Sequence, residues 1–292
     1  MNDFIKPINL DHKINEAIRA LTCGKPVLFY GPSGTGKTIA AWEVANKMAE
    51  TLGNKVIYLQ LYPEVTKNTL IGGETIKNGN IVVDIGPILK LGNDNTESGA
   101  IFIIDECTHA TEPALLGFNS LIEAPFQTVV GAEVYRLHKN TRFIFAGNTP
   151  DHSGNVPLPR SFANRLYVID FPVPNVDDLR KIMEGVLGIK KKDPMSPLHD
   201  YILDIAVKTR SPYFSISPRN VINCVSMLGG LCKSGFAKIG KLDDLNGTIV
   251  KALKNNDMHP SLVRNAILAT MLGNVTMKND GPDKVKALLW EE

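Results

Sequence analysis

The sequence predicts an α/β fold: a parallel sheet sandwiched between helices, with β-hairpin insertions, followed by a smaller all-helical domain. Three observations carry this. Short, nearly all-apolar runs recur at Val27-Leu28-Phe29-Tyr30, Val56-Ile57-Tyr58-Leu59, Ile101-Phe102-Ile103-Ile104, Phe143-Ile144-Phe145-Ala146 and Leu166-Tyr167-Val168-Ile169. Runs without alternation are the mark of parallel strands buried on both faces. Helical segments separate several of these runs, which implies crossover helices. After Phe171-Pro172-Val173-Pro174 the pattern turns helical, so the expected division is residues 1–172 and 173–292.

The elements follow in order. Ile14, Ala17, Ile18 and Leu21 fall at helical spacing, giving an amphipathic helix ahead of the first strand. The stretch from Ile39 to Glu50 is rich in Ala, Glu, Met and Lys and reads as a helix after the first strand. Asn78-Gly79 sits between β-formers in Thr75–Val83, a strong hairpin signal. Gly131, inside Thr128–Tyr135, is placed for a type II′ turn in a second hairpin. Beyond the prolines, helices are expected over Val176–Leu187, Leu198–Thr209, Pro218–Leu228 and Pro260–Met271, with Lys190-Lys191-Lys192 as a solvated turn.

Composition narrows the function classes. In 292 residues, 32 basic side chains nearly balance 30 acidic ones, so no global field favours nucleic acid or an anionic membrane. Cys23, Cys107, Cys224 and Cys232 form no C-x-x-C pair, which suits a reducing compartment. Cys107 and His109 lie close in sequence, but two ligands do not make a metal site, and a packed helix start is expected there. The first ten residues show no signal-peptide pattern and no run is long enough to span a bilayer, so a cytoplasmic protein is expected.

Gly31-Pro32-Ser33-Gly34-Thr35-Gly36-Lys37-Thr38 matches G-x-x-x-x-G-K-[ST] at every fixed position, between an expected strand and an expected helix. The glycines let successive N–H groups converge on phosphates at the positive end of a helix. In this pattern Lys37 reaches the β- and γ-phosphates and the Thr38 hydroxyl ligates Mg²⁺. Ala100–Ile104 ends in Asp105-Glu106: Asp105 is placed for the Mg²⁺ shell and Glu106 to polarise an attacking water. Paired acids after a strand can instead cap a helix. A water-activating glutamate favours hydrolysis over transfer to a metabolite, and no Asn-Lys-x-Asp guanine-reading motif occurs. Asn148, in Ala146–Pro150, is placed to bond the γ-phosphate or the lytic water if its strand lies between those of the two motifs. The alternative is an ordinary turn asparagine.

With these parts in this order, residues 10 to 230 resemble the AAA+ ATPases of the MoxR-like and McrB-like branch with its dynein-related members. Gly31–Thr38 resembles Walker A, Asp105-Glu106 Walker B, and Asn148 sensor 1. The first hairpin, with Gly86-Pro87-Ile88-Leu89, resembles the helix-2 insert, and the second the pre-sensor-1 hairpin. Ser217-Pro218-Arg219 resembles sensor 2, and Pro157–Leu166 the segment carrying the arginine finger. The resemblance leaves two finger candidates, Arg165 directly before the last strand and Arg160; a surface salt bridge is the alternative for either. The sensor 1 stretch departs from the Thr-Gln-Asn-Pro form common among MoxR proteins.

The resemblance implies ATP and Mg²⁺ as ligands and a homo-oligomeric ring, expected to be a hexamer, because a finger supplied by a neighbour makes the site intersubunit. Arg219 would act on its own nucleotide or on the neighbour's. Lys77, Tyr135, Arg136 and Lys139 on the hairpins are candidates for gripping a substrate or plain surface residues. The resemblance implies a chaperone remodelling a protein or metal-binding adhesion-type partner; the alternatives are a nucleic-acid motor subunit and a nucleotide-dependent scaffold.

Overall fold

A computed structural model of the chain describes residues 10–149, 157–187, 196–208 and 216–233. The expected helix Pro260–Met271, the Lys190–Lys192 turn, Pro150 and Thr209 lie outside the described residues. The described residues fall into two units divided between Pro172 and Val173.

The first unit opens with α1 (Asp11–Thr22), β1 (Val27–Tyr30), α2 (Lys37–Leu52) and β2 (Lys55–Gln60). A short α3 (Lys67–Leu70) leads into the hairpin β3 (Gly72–Lys77) and β4 (Asn80–Ile85), then α4 (Pro87–Gly92) and β5 (Ala100–Asp105). Next come α5 (Glu112–Leu116), α6 (Asn119–Ile122) and the second hairpin, β6 (Gln127–Val130) with β7 (Glu133–Arg136). The unit closes with β8 (Arg142–Gly147), α7 (Arg160–Ala163) and β9 (Tyr167–Asp170). In the second unit the described residues form α8 (Val176–Leu187), α9 (Ser196–Lys208) and α10 (Pro218–Lys233), with Val221 and Val225 on a buried face of α10.

The central sheet has five strands in the order β2-β5-β8-β1-β9, all parallel. All five apolar runs are strands, and β8 lies between β5 and β1. The last run is displaced by one residue: Leu166 closes the turn after α7, bonding back to Ala163, and the strand starts at Tyr167. Side chains alternate between two cores. Val27, Phe29, Ile101, Ile103, Ile144 and Ala146 pack under α1 and α2. Leu28, Phe102, Ile104, Phe143 and Phe145 meet residues of α4 to α7 on the opposite face.

Both hairpins stand apart from this sheet as two-stranded ribbons, not as its edges. Asn78 (φ 53°) and Gly79 (φ 77°) make the first turn, as a type I′ turn requires. At the second turn Gly131 has φ 60°.

On the hairpin side of the sheet Phe118 packs edge-on against Phe143 (6.0 Å between centroids) and Phe145 (5.3 Å), and Phe162 packs edge-on against Phe145 (5.1 Å). Such edge-to-face geometry adds to plain area burial. Truncating the central ring, Phe118→Ala, is expected to destabilise the first unit by about 3–5 kcal/mol. Guanidinium unfolding checks this, and a loss below about 1 kcal/mol would show that the cluster can collapse around the gap.

Candidate functional site

The loop from β1 to α2 is shaped by close approach. A Cβ on Gly31 would lie 2.1 Å from the Phe171 carbonyl oxygen, so only glycine fits. Gly36, at φ 95°, is the N-cap of α2 and turns the chain into the helix. Pro32, Ser33 and Gly34 are half-buried between them, and the buried Thr35 donates its hydroxyl to the Pro32 carbonyl at 2.9 Å. Lys37 is buried at the first position of α2, and its ammonium donates to the carbonyls of Gly31 (2.8 Å) and Pro32 (2.7 Å).

Asp105 ends β5 and is 6% exposed. Its Oδ2 accepts from the Thr38 hydroxyl at 2.9 Å and from the Tyr58 hydroxyl at 3.0 Å. Its Oδ1 accepts from the Glu106 N–H at 3.0 Å. Tyr58 comes from β2, and its ring stacks on Trp42 of α2, with centroids 5.7 Å apart and planes 15° from parallel. Burial first, and then the charge and hydrogen bond of Asp105, push the Tyr58 phenol well above its usual range. The phenol is therefore a neutral donor at any ordinary pH.

Glu106 has φ 54°, a left-handed conformation uncommon for a residue with a side chain. It stands at the N-cap position of a 3₁₀ turn, Cys107–His109, yet its side chain makes no capping bond. Instead Glu106 Oε2 accepts from Asn148 Nδ2 at 2.7 Å and lies 3.9 Å from His109 Nδ1. Asn148, 7% exposed just past β8, is fixed by its backbone N–H donating to the Thr108 hydroxyl at 3.1 Å. The expected helix start at Cys107 is thus this 3₁₀ turn, with α5 beginning only at Glu112. Cys107 is fully buried in the core, and burial pushes its thiol well above the usual range.

Thr38, Asp105, Glu106, Lys37 and Asn148 therefore come together at the carboxyl ends of β1, β5 and β8. Hydroxyl and carboxylate oxygens at Thr38 and Asp105 are the hard donors that a magnesium ion takes. Among the described residues no cluster of three or more His, Cys, Asp or Glu could hold a metal by itself.

Each arginine candidate has its own setting. Arg165 Nε donates to Glu123 Oε2 at 2.5 Å and its guanidinium also donates to the Ser161 carbonyl, so it makes a surface ion pair within its own subunit. Both residues line a groove of about 610 Å³ that also includes Lys25, His138 and Lys139. Arg160 is exposed at the start of α7, and Arg219 is exposed in the first turn of α10 in the second unit. Of the grip candidates, Lys77 pairs with Asp84 (3.3 Å), Tyr135 donates to Glu133 (2.6 Å) and Arg136 to Gln127 (3.0 Å), all within their own hairpins. Lys139 lends its carbonyl to Arg142.

Sequence reasoning missed Tyr58, Trp42 and Glu123. The available signal for Tyr58 was a hydroxyl in an otherwise apolar strand run; which residue it meets depends on β2 pairing with β5. The hairpins also expose apolar cross-strand pairs that the sequence reading passed over: Ile76 (74%) opposite Ile81 (72%), and Val129 (58%) opposite Val134 (57%).

Among known proteins, residues 26–166 match the profile of the AAA domain, dynein-related subfamily. The chain is 30% identical over 189 residues to YojN, an uncharacterized protein of Bacillus subtilis, covering 60% of this chain and 57% of that one. It is 29% identical over 175 residues to the gas vesicle ATPase GvpN of Ancylobacter aquaticus, covering 53% and 47%. It is 26% identical over 197 residues to midasin of Giardia intestinalis, covering 66% of this chain and 4% of that protein. The matched part thus spans about half the length of the two shorter relatives and a small fraction of midasin.

Proposed function

We propose that the chain, whose residues 26–166 match the AAA domain of the dynein-related subfamily, hydrolyses ATP and uses the cycle to remodel a protein partner within a ring of its own copies. The observation that carries the reading is the hydrogen-bonded line Thr38–Asp105–Glu106–Asn148, which joins the phosphate loop to the ends of β5 and β8. The ATPase name of one relative supports hydrolysis.

Each residue has a part in this reading. Gly31 to Thr38 bind the phosphates, with Lys37 exchanging its carbonyl partners for phosphate oxygens. Magnesium, when bound, neutralises phosphate charge, and Thr38 and Asp105 are the residues that would hold it. Glu106 accepts the proton of the attacking water, a general-base role. Asn148 orients Glu106 and the water.

Arg165 supports the oligomer. A guanidinium half-exposed beside a single carboxylate can leave that partner at little cost, because exposed pairs contribute about 0–1 kcal/mol. On reaching a neighbour's phosphates it would act as the finger, with Arg160 beside it as a second contact. A head-to-tail contact of this kind closes into a ring or runs on as a helix; the closed ring, a hexamer, a helical lid after residue 172 and a sensor role for Arg219 rest on the family resemblance. The exposed Ile76–Ile81 and Val129–Val134 pairs support a protein partner over a polyanion, since apolar ribbon faces suit protein contact.

Glu106→Gln is expected to bind ATP as tightly as wild type and to hydrolyse it about 10²–10⁴-fold more slowly. Nucleotide-binding titration and phosphate release check this together, and unchanged turnover would remove Glu106 as the base. Arg165→Ala should lose roughly 10³-fold in turnover and regain activity when mixed with the otherwise inactive Lys37→Ala protein. Full activity of Arg165→Ala alone, with no effect of mixing, would remove Arg165 as the finger.

A further inference from the structure

Three donors converge on the Asp105 carboxylate. Its Oδ1 takes the Glu106 N–H, and one hydroxyl, that of Thr38, already ties Oδ2 to the phosphate loop. The second hydroxyl on Oδ2 comes from Tyr58, on a neighbouring strand. Tyr58 is itself anchored from behind by the stack on Trp42, five residues into α2 from Lys37.

We propose that Tyr58 is a positioning residue for the metal-side carboxylate: the hydroxyls of Tyr58 and Thr38 converge on Oδ2 of Asp105 while the Tyr58 ring rests on Trp42. The assignment rests on the reading of Gly31–Thr38 and Asp105 as a nucleotide and magnesium site. A phenylalanine would serve the aromatic stack equally well, so the hydroxyl is the part that stacking leaves unexplained. Its partner is a carboxylate 6% exposed, where a charge-assisted hydrogen bond is strong and fixes orientation. Without Tyr58, Oδ2 of the carboxylate keeps the hydroxyl of Thr38. Thr38 is also the residue whose oxygen a magnesium ion would claim. Tyr58 therefore holds Asp105 in place at the moment Thr38 turns to the metal. Outer-shell donors of this kind orient metal-binding carboxylates and are costly to remove. The stack adds a mechanical link, because α2 begins at Lys37 and carries Trp42 with it. Any shift of the loop on phosphate binding is transmitted to the Tyr58 ring, and through the hydroxyl to Asp105.

The test is equilibrium binding of a fluorescent ADP analogue to the full chain, titrated with Mg²⁺ and repeated in EDTA. Tyr58→Phe keeps the ring and the stack and removes one oxygen. Its metal-free affinity is expected within about twofold of wild type, while the Mg²⁺ concentration for half-maximal tightening rises about tenfold. Tyr58→Ala should show the same metal defect and in addition a lower thermal midpoint, because the stack goes too. A Mg²⁺ dependence in Tyr58→Phe equal to wild type would overturn the assignment. So would a weakening of equal size with and without Mg²⁺, which marks a purely structural role. Lys37→Ala, run in parallel, separates the underlying reading: it should lose the analogue in both conditions. If it binds like wild type, the nucleotide site itself is wrong and the role of Tyr58 falls with it.

Discussion

The position of β8 between β5 and β1 is the constraint from which the candidate site follows. A strand can occupy that place only if it is apolar on both faces, and Phe143, Ile144, Phe145 and Ala146 are all buried. With parallel neighbours on both sides, its register is fixed: Ile144 and Phe145 lie beside Ile103 and Ile104, and Gly147 beside Tyr30. Asn148 is then the first residue past the sheet on the same edge where Asp105 ends β5 and the glycine loop leaves β1. Three segments far apart in sequence become adjacent because of one strand insertion. Moving β8 to an edge would leave the motifs intact and separate Asn148 from Glu106.

The two cores on either side of the sheet divide the work. On one side α2 walls the core, its first turn carries Lys37 and Thr38, and Trp42 meets β2 through Tyr58. The chain after β9 closes tightly on this region: the Phe171 N–H donates to the Tyr30 carbonyl at 2.6 Å, and the Phe171 carbonyl occupies the space a side chain at Gly31 would need. On the other side the Phe118, Phe143, Phe145 and Phe162 cluster stiffens the floor under β5 and β8. Residues that fix the site and residues that fix the fold are therefore neighbours along the same strands, alternating by face. Glu106 and Asn148 gain precise placement without either belonging to a regular element.

Much of this was legible in sequence because it is local. The run Val27–Tyr30 is the observed strand to the residue, and Asn78-Gly79 forces a turn through backbone sterics alone. Glycines and the Lys37-Thr38 pair stand out in sequence because they match a fixed pattern at every position. What was not legible depends on contacts between strands. That Tyr58 faces Asp105 requires β2 to pair with β5 in the register Tyr58↔Ile103, which no pattern within either segment states. The Glu123 partner of Arg165 comes from the far end of α6, and its choice is set by packing. The helix expected at Cys107 yields to a 3₁₀ turn because Glu106 is held in a left-handed conformation by Asp105, an arrangement that local propensity disfavours.

That left-handed glutamate is informative about how the site is built. A non-glycine residue in this region costs about 1–3 kcal/mol and persists only where its surroundings over-determine it. Here the surroundings are explicit: the Glu106 N–H is held by Asp105 Oδ1, and its carboxylate by Asn148 Nδ2 at 2.7 Å. The strain turns the side chain across to β8 rather than into the following turn, where it would have served as an ordinary helix cap. The Asn148 amide nitrogen carries two hydrogens, so holding Glu106 uses one and does not exhaust it. A donor this close fixes the direction in which the carboxylate points. The direction of the Glu106 carboxylate is thus set at a single bond, and the side chain that sets it is the one placed just past the end of β8.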